Sequence, residues 1–208
     1  MQMLDMIRAA GRIIAIYLVY SGQVSAQPIN NTTETCNPLG VTNADMILCA
    51  SIGYSKIDSV LNEQYKGLKS GLSDASRQSQ LLDAQRAWVI FRDKSCSDIY
   101  DSESPGAEAP IAKLSCLGEL TSVRVVELIY LRTGYRADGF ATAVSAVAKS
   151  TGVDASSRAR AVKVLEDGLE YGPLFEEYAE KNCNMARDLY LEEKGLCVSR
   201  MKFNNSVH

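Results

Sequence analysis

Leu82-Asp-Ala-Gln-Arg-Ala-Trp-Val-Ile-Phe-Arg-Asp-Lys-Ser-Cys96 is the stretch on which the fold turns. It contains the chain's single tryptophan, Trp88, and neither glycine nor proline interrupts it. With Leu81 just before it, Ala84, Trp88 and Phe91 recur at three- and four-residue steps, the spacing of one helix face. The stretch therefore reads as the heart of a helix from about Asp74 to about Tyr100. Aromatics on such a stripe are core far more often than site. Gln85, Arg92 and Cys96 lie close to that face, and Arg86 and Asp93 point further out. Arg92 and Asp93 read as a structural pair, because buried charge is normally paired.

Working outward, Thr42 to Gly71 reads as a first long helix. Thr42-x-x-Asp45 is a capping-box-like start, with Asn43 an equally good cap, and Met46, Ala50, Gly53, Ile57, Val60, Leu61 and Leu68 form its apolar stripe. The turn Gly71-Leu72-Ser73-Asp74 follows, with Ser73 the expected N-cap. On the other side, Asp98 to Pro110 is punctuated by Pro105, Gly106 and Pro110. It reads as an acidic hairpin tip carrying Asp98, Asp101, Glu103 and Glu108. A third helix then runs from about Ile111 to Thr133 and stops at Gly134.

The six cysteines fit this plan. Cys96 and Cys116 lie ten residues either side of Gly106, so antiparallel helices joined at that tip bring them face to face. Cys36 in the polar lead-in can fold back onto Cys49 in the first helix. Cys183 and Cys197 remain. An unbroken helix would hold them too far apart, because bridged Cα atoms come within about 7 Å. A break near Asn182–Asn184 or a folded-back tail is expected. Short helices are read over 137–152, 156–170 and 173–194, the last ending at Lys194-Gly195.

The chain opens with Arg8 and Arg12, then an apolar run from Ile13 to Tyr20, then Val24-Ser25-Ala26. This is the pattern of a secretory signal peptide cleaved before Gln27, and the run is too short to span a bilayer. The expected mature protein is periplasmic or secreted by a bacterium and not membrane-spanning. An even cysteine count in an exported chain implies disulfides. Residues 27–208 carry 20 Lys and Arg against 24 Asp and Glu, and the whole chain has a pI near 5.3. That balance excludes a general nucleic-acid binder, which needs a basic surface to release counterions.

Catalysis finds little support in the residues. The one histidine, His208, is terminal, and chain ends are poor places for a general base. No His or Cys cluster has metal-ligand spacing, and no glycine-rich phosphate loop is present. No cofactor is expected. Glu166, Asp167 and Glu170, and likewise Glu176, Glu177 and Glu180, read as solvated helix faces. The acidic tip is the better functional candidate, since a disulfide at its base would preorganise it for binding.

At this point the motif residues matter together. They are Cys36, Asn43-Ala44-Asp45-Met46 and Cys49-Ala50; then Gln85-Arg86-Ala87-Trp88, Phe91-Arg92-Asp93 and Cys96; then Cys116, Thr121, Arg124 and Glu127-Leu128. This pattern resembles the lysozyme inhibitor LprI N-terminal-domain-like family of exported bacterial proteins, over residues 36–133. The resemblance implies a small helical domain with two disulfides. It also implies structural roles for Gln85, Arg86, Trp88, Arg92, Asp93, Arg124 and Glu127. The family's namesake is a lipoprotein, whereas this chain lacks the lipid-acceptor cysteine.

The expectation is an all-α, disulfide-stapled bundle built on a long antiparallel hairpin, with additional C-terminal helices. Its parts are a signal peptide (1–26), an LprI-like domain (27–133) and a C-terminal extension (134–208). The expected function is binding a protein partner, a lysozyme or an envelope protein, rather than catalysis. The alternative is an envelope interaction or virulence-associated protein without lysozyme-inhibitor activity.

Overall fold

A computed structural model describes residues 36–206, apart from 38, 41, 137–138, 152–154 and 168. The expected signal peptide (1–26) and the start of the lead-in lie outside the described residues. Seven helices and no strand occur among those described. They are α1 (Asn43–Gly71), α2 (Ala75–Glu103), α3 (Ala109–Thr133), α4 (Phe140–Thr151), α5 (Ala155–Glu166), α6 (Pro173–Tyr190) and α7 (Lys194–Ser206). The all-α expectation holds.

Local chemistry sets the helix ends. The Thr42 hydroxyl accepts the Asp45 N–H at 3.2 Å, and the Asp45 carboxylate takes the Thr42 N–H at 3.4 Å. This is the capping box, and it places the cap at Thr42 rather than Asn43. The next cap is corrected by one residue: Asp74, not Ser73, caps α2 through the Ser76 N–H at 2.9 Å. A carboxylate suits the positive end of a helix better than a hydroxyl does. Gly134 ends α3 in the left-handed region, with φ 74°. A Cβ there would come within 3.0 Å of the Tyr190 ring, so glycine is needed on two counts.

α1 and α2 both pack on α3, and α6 lies along α2. α7 folds back on α6, and the α4–α5 pair packs on α7. Helices before and after Gly134 thus share one core. Trp88, Phe91, Leu128 and Leu131 are buried with Phe175, Tyr178 and Met185. Phe91 of α2 meets the Phe175 ring edge-on at 5.4 Å and stacks with Tyr178 at 6.1 Å. A second, smaller core joins Phe140, Val144 and Ala161 to Leu196 and Phe203.

The stripe expected on α1 is only partly used. Leu61 and Leu68 are buried, but Met46 and Val60 are more than a third exposed. α1 leans chiefly on α3, so one neighbour covers a narrow strip.

The Cys36–Cys49 and Cys96–Cys116 disulfides are formed as read, with Cα separations of 4.7 and 5.5 Å, and the pairing the sequence left open is Cys183–Cys197, at 5.7 Å. For the last pair the folded-back tail is the route taken. α6 stays unbroken through Asn182–Asn184 and ends at Tyr190. Lys194-Gly195 starts a helix instead of ending one. The Glu193 carboxylate accepts the Gly195 and Leu196 N–H groups at 2.9 and 2.8 Å and so caps α7. Replacing Cys96 and Cys116 together by serine is expected to lower the unfolding free energy by roughly 3 kcal/mol through lost loop closure. Urea titration of the double variant against the oxidised parent measures this.

Candidate binding surfaces and a buried polar seam

The acidic tip is tighter than a loop over Asp98–Pro110. α2 continues to Glu103, and the turn itself spans 104–108. Nothing before Pro105 breaks the helix, and the residue before a proline is driven out of helical geometry. Ser104 is accordingly extended, with ψ 142°. Asp98, Asp101, Glu103 and Glu108 are all exposed. Asp98 is engaged by Lys94 in an i, i+4 ion pair.

Asp101 and Glu103 are different. They sit in the last turn of α2, where the helix dipole disfavours negative charge and no basic residue offsets it. Glu108 precedes α3 without making a side-chain cap bond. Below them, the buried Cys96–Cys116 bridge clamps the two helices.

The motif residues divide into two groups. Trp88 is buried, and the Arg92 guanidinium lies 4.7 Å above its ring. Arg92 Nε and Nη2 donate to Asp93 Oδ1 at 2.9 and 2.7 Å, and Asp58 of α1 stands 4.0 Å away. Arg86 is on the outer surface, 4.0 Å from Asp83. Of this group only Arg92 reaches α1, through Asp58.

Gln85, Arg124 and Glu127 form the second group, and their partners come from the C-terminal helices. Arg124 Nε donates to Gln85 Oε1 at 3.0 Å. Its Nη1 donates to Tyr178 Oη at 3.2 Å and Asn182 Oδ1 at 2.6 Å. Asn182 Nδ2 passes the chain on to Glu127 Oε1 at 2.7 Å. Glu127 then receives both Nη1 and Nη2 of Arg200, at 2.5 and 3.1 Å.

Arg200 also reaches Glu192, through Nε at 3.1 Å and Nη2 at 3.2 Å. Tyr130 Oη donates to Glu192 at 3.0 Å, and Arg136 pairs with it at 3.0 Å. Arg124, Glu127, Asn182, Glu192 and Arg200 are all buried.

Burial pushes the Glu127 carboxyl upward. The Arg200 charge, its hydrogen bonds and that of Asn182 outweigh this and hold it below the usual carboxylate range. Burial likewise works against the Arg200 charge, and Glu127 more than restores it. Arg124 Nη2 stays buried without a protein hydrogen-bond partner among the described residues. The seam is therefore highly specific but not fully satisfied.

Sequence reasoning missed Tyr178, Asn182, Glu192 and Arg200. One signal was available: Arg200 shares a face with Leu196, Cys197 and Met201, an odd place for a charge unless it is paired.

Other features offer less. An open groove of about 740 Å³ runs between α5 and α7. Its buried hydroxyl, Ser199, already donates to Glu166 at 2.8 Å. Among the described residues no group of three His, Cys, Asp or Glu side chains is placed to hold a metal ion, and no helix is long and apolar enough to cross a membrane.

Fold and site together define an all-α, disulfide-stapled bundle whose N-terminal three helices carry a distinct motif. Residues 36–128 match the family model described as "Lysozyme inhibitor LprI", so this segment, α1 and α2 with most of α3, is LprI-like. The chain is also 26% identical over 133 residues to an uncharacterized protein of Rhizobium meliloti (strain 1021), covering 58% of this chain and 93% of that protein. No solved structure matches.

Proposed function

We propose that this chain is an exported bacterial binding protein, similar to lysozyme inhibitors, that works by protein–protein contact and not by catalysis. The LprI match over 36–128 supports the family-level part of this reading. The observation that carries the binding mode is the tip. Asp101 and Glu103 sit at a helix end that disfavours them, on a hairpin clamped by Cys96–Cys116. Charge kept where folding gains nothing from it points to a use outside the fold. A rigid acidic prong suits a basic partner, and its preorganisation lowers the entropy lost on binding. Lysozymes, being basic, fit that description. In this reading the mature protein starts at Gln27 and acts in the periplasm or outside the cell, and residues 134–208 form an extension that buttresses the LprI-like domain.

The test is titration of oxidised 27–208 against a C-type lysozyme at low and physiological salt. Stoichiometric, salt-sensitive inhibition is expected. The triple variant Asp101→Asn, Glu103→Gln, Glu108→Gln should bind at least tenfold more weakly and lose most of the salt dependence. Wild-type protein without effect at micromolar excess would refute the lysozyme reading and leave the envelope-interaction alternative, which rests on the extension.

A further inference from the structure

Leu191 is the anomaly of the molecule. Among the described residues it is the one non-glycine with positive φ, at 56°, and it is 88% exposed. A left-handed leucine is strained where glycine would serve, and an exposed one gains nothing from burial. Tyr190 beside it is 38% exposed and donates to the Leu131 carbonyl at 3.0 Å. Its ring lies against Gly134. Tyr135, next in the chain, is 70% exposed.

The surroundings are basic. The end of α1 brings Lys66 and Lys69, the start of α2 brings Arg77, and the ends of α3 and α6 bring Arg132 and Arg187; all five are exposed. Contacts hold these termini at one end of the molecule. Gly67 of α1 lies against the Arg132 side chain, and Gln80 of α2 donates to Asp188 of α6 at 3.0 Å. A groove of about 530 Å³ there is lined by Arg77, Arg187 and Leu191 together with Asp74 and Asp188.

The described acids at this end have internal partners. Asp74 caps α2, Asp188 takes Gln80 and faces Arg187 at 3.6 Å, and Glu193 caps α7. Glu63 lies about a turn further back along α1. The acidic tip is at the opposite end of α2, about 43 Å away for a helix of that length.

We propose that this end is a membrane-docking surface for anionic phospholipid headgroups, with Leu191 and Tyr135 entering the interface between the bound cations. A protruding leucine and tyrosine ringed by Lys and Arg match the chemistry of a bilayer interface, which receives an apolar knob without a shaped pocket. The acidic prong then points away from the lipid. This inference does not depend on lysozyme being the partner.

The test is co-sedimentation of oxidised 27–208 with vesicles of phosphatidylglycerol and phosphatidylcholine, against phosphatidylcholine alone. Binding is expected only with the anionic lipid and should fall with salt. Arg77→Gln with Arg132→Gln should weaken partitioning about 25-fold, roughly fivefold per cation. Leu191→Gly should weaken it about tenfold or more while leaving Tm unchanged or higher, since glycine relieves the left-handed backbone. Absence of binding to anionic vesicles, equal binding to both lipids, or variants that partition like the parent would each overturn the proposal. The tip triple variant should bind vesicles normally, which separates the two ends.

Discussion

Arg200→Ala is expected to destabilise the protein by about 3–5 kcal/mol, because it strands Glu127 and Glu192 as buried carboxylates with their main counter-charge removed. The loss spans both halves of the fold, since Glu127 lies on α3 while Arg200 lies on α7. Thermal and urea unfolding of the variant measure it. Arg200→Met tests the origin of the loss. If burial of unpaired charge dominates, combining it with Glu127→Gln recovers part of the stability, a non-additivity typical of contacting groups.

The same pair sets a pH dependence. The folded-state Glu127 carboxyl titrates below its unfolded value. Its contribution is thus fully present above the unfolded pKa, near 4.3 to 4.5, and is lost as pH falls through the lower, folded value. Unfolding free energy should therefore decline on acidification below about pH 5. The decline should be shallower in Glu127→Gln.

Trp88→Ala carries the second large effect. Trp88 is buried in the α2 face and supports the Arg92 guanidinium. Truncating it removes a large aromatic volume that neighbours cannot refill and leaves Arg92 without its platform, at a cost of about 3–5 kcal/mol. The variant has no tryptophan, so its unfolding is followed by far-UV circular dichroism. A change below about 1 kcal/mol would mean that the site collapses around the loss.

Much of this fold was legible in the chain. The three-residue stepping around Trp88 placed α2, Gly134 closed α3, and the symmetry of Cys96 and Cys116 about the tip gave the antiparallel hairpin. These are local signals, set by helical periodicity, caps and covalent reach. Errors fell where two local signals compete. Ser73 and Asp74 are both N-cap residues, and the helix dipole favoured the carboxylate. Lys194-Gly195 resembles a helix end, but the preceding Glu193 supplied the cap for a new one.

The seam lay beyond such signals. Arg124 and Glu127 stood out as motif residues, yet their partners Tyr178, Asn182 and Arg200 are distant in sequence, and no periodicity links them. The basic end is similar: Lys69, Arg77, Arg132 and Arg187 belong to four helices, and each alone reads as an ordinary solvated charge.

The sequence by itself determined an all-α protein, the lengths of its three main helices and the disulfide-clamped hairpin, because those features follow from periodicity and chain geometry within short spans. Only the tertiary structure decided that α6 closes over the LprI-like segment through buried hydrogen bonds and α7 through the Arg200–Glu127 ion pair. It alone gathered five cations and one strained leucine at a single end. Both depend on which helix faces pack together, and packing is settled by volume and charge compensation across the whole core.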